Sequence, residues 1–295
     1  MENFFNFELT FRLLGLDFVQ SGLIAAAVLG LAAGAIGPLI VMRRMAFAVH
    51  GTAELAFTGA AAALLLGVSV GFGALGGAVV AALLLGILGG EAAERDSVIG
   101  VVLSFGLGLG VLLLWFYPGR TSNKFGLLVG QIVSVDSADL DLFVWSVIGI
   151  LLVLALIYRP LLFASVDPIV AAARGVPIAL LTPVFAVLVG VATALGVQTV
   201  GVLLVLALLV TPAAAACRVT SSPLLATVLA VLFAETAVIG GIVLSLAPGA
   251  PSSPFVTTIS FLIYVVCRLI AYRRGRARKG GADAAARPQA APVAG

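Results

Sequence analysis

The chain has 295 residues, of which 62% are hydrophobic and 10% are charged, with a formal net charge of +3. Roughly 180 apolar side chains would fill about nine membrane-spanning helices of about 20 residues each, which leaves little chain for an aqueous domain. The composition excludes a cytosolic enzyme, a disordered chain, a disulfide scaffold, since there are only two cysteines, and an outer-membrane barrel, whose strands would alternate in polarity.

Residues 1–21 contain five phenylalanines and lack the basic start of a secretory signal, so we predict a segment lying at the membrane interface. Residues 22–270 form the predicted transmembrane domain. Residues 196–198 make a very short break, so eight spans with one re-entrant segment remain an alternative to nine. The nine apolar runs are 22–42, 46–67, 72–90, 98–117, 141–158, 178–197, 199–217, 224–246 and 254–270.

The distribution of positive charge predicts the orientation of these spans. Placing residues 1–21 outside leaves only Arg12, Arg120 and Lys124 outside and the other thirteen cations in the cytoplasm, as the positive-inside rule requires. Six of those cations lie in residues 271–295, which we predict to be a disordered cytoplasmic tail attracted to anionic lipid rather than to nucleic acid.

Two loops between the runs are longer than turns. Residues 118–140 lie outside in this orientation, and residues 159–177 lie in the cytoplasm. In the second loop, Asp167 and Pro168 are typical of a helix start, Ala171 favours helix, and Gly175 is typical of a helix end. The pattern predicts a short cytoplasmic helix, with a simple connector as the alternative.

Three ionisable residues lie inside predicted spans, where charge is costly and usually functional: His50, Glu54 and Glu235. His50 and Glu54 are four residues apart, so they share one helix face about 6 Å apart along the axis, and Thr58 continues that face. An imidazole and a carboxylate suit zinc, manganese or iron. A mutual hydrogen bond between His50 and Glu54 is the structural alternative.

Glu235 has no second acid or histidine near it in the sequence. It could take part in transport, be protonated, or bond to Thr236 or a neighbouring helix. Small residues spaced by four, Gly30 with Gly34 and Gly106 with Gly110, predict close helix contacts. The sequence contains no phosphate-binding loop and no hydrolase motif, so we predict that the chain is not itself an enzyme.

Five motifs in order resemble the integral-membrane permease family of ABC transporters for zinc, manganese and iron. The resemblance extends over about residues 20–270. It rests on residues 41–48 (VMRRMAFA), 96–100 (DSVIG), 125–132 (FGLLVGQI), 167–177 with its Asp-Pro and Ala-Ala-Ala-Arg-Gly-Val-Pro, and 200–216 (VGVLLVLALLVTPAAAA).

The resemblance implies an all-α permease in the cell membrane that moves a divalent metal and holds no permanent cofactor. In register, His50 and Glu54 occupy the family's metal-pathway positions, where the family has an acid and then a histidine. The partners it implies are cytoplasmic ATPase chains that bind the ATP, an extracytoplasmic metal-binding protein and a second permease chain, giving a homodimer.

The resemblance also assigns two loops. The cytoplasmic loop would form a coupling helix that docks on the ATPase, with Asp167, Pro168, Ala171, Arg174 and Gly175 as its matching residues. Gly130 and Gln131 in the outer loop would help form an outer gate or receive the binding protein.

Two other functions fit the same composition. One is a secondary cation transporter or channel that works without ATP and uses His50, Glu54 and Glu235 as a proton relay. The other is a membrane scaffold that transports nothing. The residues alone distinguish neither zinc, manganese and iron nor the direction of transport.

Overall fold

The computed structural model describes residues 7–88, 92–119, 126–128, 137–199, 201–202 and 205–285. Helices make up most of these ranges, which contain no β-strand, and this confirms the predicted all-α class. The helices are α1 (Phe7–Leu14), α2 (Asp17–Met42), α3 (Ala46–Leu66), α4 (Val70–Leu88), α5 (Ala92–Phe116), α6 (Ser137–Val166), α7 (Pro168–Ala173), α8 (Ile178–Thr199), α9 (Val205–Leu209), α10 (Thr211–Val219), α11 (Pro223–Leu246) and α12 (Ser252–Ala285).

Within the described ranges, seven helices are long and apolar enough to cross a membrane: α2, α3, α5, α6, α8, α11 and α12. Each coincides with a predicted run, so the chain is a multi-pass membrane protein. Two shorter apolar segments, Val70–Leu85 and Val205–Val219, coincide with the other two runs. The count of nine spans stays a prediction.

The sequence placed a break at residues 196–198, but α8 continues through them to Thr199. Gly196 serves packing rather than a turn, because a methyl group on it would lie 3.1 Å from a methyl carbon of Val205. The chain instead adopts a left-handed conformation at Gly201, with φ of 84°, before α9 begins. The apolar residues around the predicted break contain no charge that could mark a boundary.

Both ends of the predicted domain differ in extent from the structure. Helix α2 begins at Asp17, whose carboxylate in the first turn is favourable for the helix dipole, so the first span starts before residue 22. Helix α12 runs on to Ala285, into the predicted disordered tail. Arginine, lysine and alanine have high helix propensity, which accounts for this extension.

Helix α3 lies at the centre of the bundle and contacts α4, α5 and α8, and two-thirds of its most apolar window is buried. On the other side of the fold, α2 packs on α6 and α11, and α11 packs on α10 and α12. Glycines allow the closest contacts: Gly34 faces the backbone of Val231 in α11, and Gly110 faces the ring of Phe57 in α3. The close approaches expected at both glycine pairs are confirmed.

Candidate metal pathway

Helix α3 positions the two candidate ligands. It begins after Met45, whose carbonyl accepts the Val49 N–H at 3.1 Å, and ends at Gly67, which has a left-handed φ of 71°. His50 is half-buried one turn from the start, and Glu54 is 2% exposed one turn further. We call His50 and Glu54 the metal pair.

Two ligand atoms of the metal pair are buried and have no hydrogen-bond partner among the described residues. They are Nδ1 of His50 and Oε2 of Glu54. A buried polar atom without a partner costs free energy, so such an atom in a native fold needs an explanation. The alternative of a mutual hydrogen bond finds no support at these two atoms. A nitrogen and a carboxylate oxygen one turn apart can bind a divalent transition metal.

Helix α5 packs directly against the metal pair through a glycine. A methyl group on Gly106 would lie 3.2 Å from Cβ of Glu54. The absence of a side chain at position 106 therefore allows α5 to pack closely against α3. The Thr58 hydroxyl donates a shared hydrogen bond to two carbonyl oxygens, that of Gly106 at 2.6 Å and that of Glu54 at 2.9 Å. Thr58 therefore fixes the backbone around Glu54.

Glu235 lies on α11, away from the metal pair on α3. The described residues contain no group of three or more His, Cys, Asp and Glu that could hold a metal, so Glu235 does not join the metal pair. It faces α2, where a methyl group on Gly30 would lie 2.9 Å from its Oε1. The Thr236 hydroxyl donates to the Leu232 carbonyl at 2.7 Å, which disfavours the alternative of a bond from Thr236 to Glu235.

The predicted cytoplasmic helix is α7, and its ends have the predicted chemistry. Oδ1 of Asp167 accepts the Val170 N–H at 3.0 Å, and Pro168 occupies the first turn. At the other end, the Gly175 and Val176 N–H groups donate to Ala172 and Ala171 carbonyls at 3.0 Å. Gly175 has φ of 82°, so this is a Schellman motif. We call residues 167–177 the coupling loop.

On α7, the buried Ala171 faces the bundle, and Ile169 is 81% exposed. Arg174, directly after the helix, is also exposed. The loop therefore offers an apolar and a basic side chain to a partner. The proposed outer-gate residues Gly130 and Gln131 lie outside the described residues, so the structure says nothing of that prediction.

One residue that the sequence pattern did not single out is Arg43. The sequence assigns it no role of its own beyond a place among the inner-side cations and in the motif of residues 41–48. In the structure its guanidinium contacts Ser165 at the end of α6 and Thr182 in α8. An arginine next to the short α2–α3 turn was the available signal, but its partners lie more than 100 residues away in sequence.

The model of the ABC 3 transport family matches residues 15–271. The chain belongs to the ABC 3 transport family. The match includes α2 to α11, the metal pair and the coupling loop, and it confirms the resemblance drawn from the five motifs.

Relatives within the family include two described as manganese transporters. The manganese transport system membrane protein MntC of Halalkalibacterium halodurans is 30% identical over 269 residues, which cover 90% of this chain and 91% of that protein. The manganese import system permease protein ScaB of Streptococcus parasanguinis is 32% identical over 200 residues, 68% of this chain and 71% of that protein.

A solved structure shares the fold of this ABC 3 family member. PsaBC from Streptococcus pneumoniae, in complex with Fab, has a chain that superposes with a TM-score of 0.80 at 26% identity. The superposition covers 88% of this chain and 94% of that one. The arrangement of helices in this chain is thus shared with a chain of PsaBC.

Proposed function

We propose that this chain is the permease subunit of an ATP-driven importer of a divalent transition metal, and that Mn²⁺ is its first candidate substrate. The names of the relatives MntC and ScaB favour manganese. Zinc and iron remain candidates because a histidine and a carboxylate bind all three metals. The observation that carries the proposal is the pair of buried, unpartnered ligand atoms, Nδ1 of His50 and Oε2 of Glu54.

The metal pair suits passage rather than storage. One imidazole and one carboxylate supply fewer ligands than a tight transition-metal site requires. Weak coordination is useful in a pathway, because the ion must leave as readily as it enters. In the proposed homodimer, each permease chain would contribute its own metal pair to the pathway.

In this proposal, separate subunits bind and hydrolyse the ATP. The coupling loop would dock on a cytoplasmic ATPase chain, supported by the exposed Ile169 and Arg174 and by the rigid caps of α7. The positive-inside pattern supports the orientation with the coupling loop in the cytoplasm and the turn between α3 and α4 outside. An extracytoplasmic binding protein would deliver the metal on that outer side, where residues Gly130 and Gln131 are the proposed gate.

The test is uptake of radiolabelled Mn²⁺, Zn²⁺ and Fe²⁺ into vesicles that hold the permease, its ATPase and its binding protein. We expect ATP-dependent uptake of one metal, reduced by at least about tenfold in His50→Ala and Glu54→Ala, since even outer ligand partners are worth 10- to 100-fold in affinity. Glu235→Gln is the matched control, because it changes a membrane carboxyl that lies apart from the metal pair.

Three outcomes would contradict this function. Uptake that is unchanged when ATP is withheld would indicate a secondary transporter or channel. Normal uptake in both His50→Ala and Glu54→Ala would remove the metal pair from the pathway. Absence of uptake of all three metals, in a complex that is intact by size-exclusion chromatography, would indicate another solute or a scaffold.

A further inference from the structure

Arg43 joins three helices at one end of the bundle. It directly follows α2, and its Nη1 lies 3.4 Å from Oγ of Ser165, which is the next-to-last residue of α6. Its Nη2 lies 3.0 Å from Oγ1 of Thr182 in the second turn of α8. The guanidinium carbon is 5.5 Å from the ring centre of Phe185, within the range of a cation–π contact. We call Arg43, Ser165 and Thr182 the Arg43 clamp.

The Ser165 acceptor and the aromatic ring next to Arg43 are held in place by their own surroundings. The Ser165 hydroxyl donates to the Leu161 carbonyl at 2.6 Å, so its oxygen is free to accept from Arg43. Phe185 is fully buried, so the ring that faces the guanidinium is held by its packing. Arg43 therefore contacts defined positions on α6 and α8 rather than solvent-exposed, movable side chains.

The two acceptors flank the coupling loop in sequence. Ser165 lies two residues before Asp167, and Thr182 lies five residues after Pro177. Any displacement of α7 by a partner must pass into the end of α6 and the beginning of α8. The clamp is where those two helix ends meet α2.

On its other side, Arg43 is connected to the metal pair through a tight turn. Arg44 has a left-handed φ of 55°, and the N–H of buried Met45 donates to the Ile40 carbonyl at 2.9 Å. Helix α3 begins at the next residue, and His50 lies about one turn further on. Because the turn is this short, Arg43 and the start of α3 cannot move far relative to each other.

A cavity of about 430 Å³ beside the clamp lies between α3, α4 and α8 and opens to the surface of the chain, where Val79 and Val187 are exposed. An open space between helices removes packing contacts that would otherwise resist relative movement of α3 and α8. Thr182 belongs both to the clamp and to the wall of the cavity. Other wall residues include Met45 directly before α3, Thr52 of α3, Val79 and Leu83 of α4, and Val187 of α8.

We propose that Arg43 is a positioning residue that couples movement of the coupling loop to the metal pair, because it binds both helices that flank that loop and begins the turn into α3. The inference rests on the proposed function and adds the element that transmits the ATPase movement. Arginine suits this role because its planar fork donates to two separate acceptors while stacking on a ring, which a lysine ammonium does less well.

The test measures coupling rather than activity alone. In vesicles holding the complete transporter, the number of metal ions taken up per ATP hydrolysed is compared between variants. We expect Arg43→Ala to hydrolyse ATP but to lower that ratio by at least about fivefold, the lower end of typical coupling between sites. Arg43→Lys should restore part of the ratio. Arg44→Gln, which removes the same charge one residue along, should keep the wild-type ratio.

A second route covers the case in which Arg43→Ala does not fold. Ser165→Ala combined with Thr182→Val removes both acceptors and leaves Arg43, and it should lower the ratio as Arg43→Ala does. Adding Arg43→Ala to that pair should cause little further loss, since contacts within one network are not additive. A wild-type ratio in either set of variants would overturn the inference. Absence of ATP-dependent uptake by the wild type would instead defeat the proposed function, and the inference with it.

Discussion

Two threonines on α3 have the same chemistry and different partners. The Thr52 hydroxyl donates to the Ala48 carbonyl at 2.8 Å, within its own helix. The Thr58 hydroxyl also reaches the Gly106 carbonyl of α5 at 2.6 Å. Hydrogen bonds between helices stabilise membrane proteins by about 0.6 kcal/mol on average and up to about 1.7 kcal/mol. Thr58 therefore contributes to the contact that holds α5 against Glu54, and Thr52 does not.

Replacing Thr58 by valine tests this contribution. Thr58→Val keeps the side-chain shape and removes the donor, so we expect a loss of about 1 kcal/mol and a lower melting temperature in detergent. Thr52→Val is the matched control and should change the melting temperature less, because its hydroxyl bonds only within α3. Equal effects in the two variants would show that the α3–α5 bond adds nothing.

Individual residues were predictable where a local pattern defines them. The four-residue spacing of His50 and Glu54 predicts that they share one helix face. Asp167, Pro168 and Gly175 predict the two caps of α7. Arg43 could not be identified in this way, because its role depends on Ser165 and Thr182, which only the tertiary fold brings to it. The same holds for Glu235, whose neighbour Gly30 lies on a helix about 200 residues earlier.

At the scale of elements, glycine spacing determines which helices can approach closely. Gly34 of α2 lies so near α11 that an added methyl group would overlap the backbone of Val231. Gly149, inside α6, has open space in the same direction. Alanine favours helix over glycine at any open interior position, by up to about 1 kcal/mol. The sign of a glycine-to-alanine change thus depends on the neighbouring helix.

We expect Gly34→Ala to destabilise the protein by about 1–3 kcal/mol, the usual effect of overpacking, because α2 and α11 must separate. Gly149→Ala should leave the melting temperature unchanged or raise it. Thermal unfolding of both variants in the same detergent measures the difference. A rise in both variants would contradict the tight α2–α11 contact.

For the whole molecule, the sequence predicts the all-α fold class and the membrane location, because long apolar runs rarely form anything other than membrane-spanning helices. The boundary after α8 was not predictable, since residues 178–217 contain neither a charge nor a run of polar residues. Helices α9 and α10 are separate within Val205–Val219, and even one continuous helix over those 15 residues would span only about 22 Å of a hydrocarbon layer about 30 Å thick. The preceding Val202 N–H donates to the Leu127 carbonyl at 3.4 Å. Neighbouring non-helical backbone held by protein contacts can supply the missing length.

The location of Ser221, in the exposed link between α10 and α11, decides between nine spans and eight. If α9 and α10 together cross the membrane, Ser221 lies on the same side as α7; if they re-enter, it lies on the side of the turn between α3 and α4. A background with Cys217→Ala and Cys267→Ala allows single cysteines to be compared, since both native cysteines are free.

We expect an impermeant thiol reagent added to intact cells to label Ser69→Cys, and to label Ala172→Cys and Ser221→Cys only after permeabilisation. Labelling of Ser221→Cys together with Ser69→Cys in intact cells would make α9 and α10 a re-entrant pair, and α12 would then end on the outer side, where its arginines would violate the positive-inside rule.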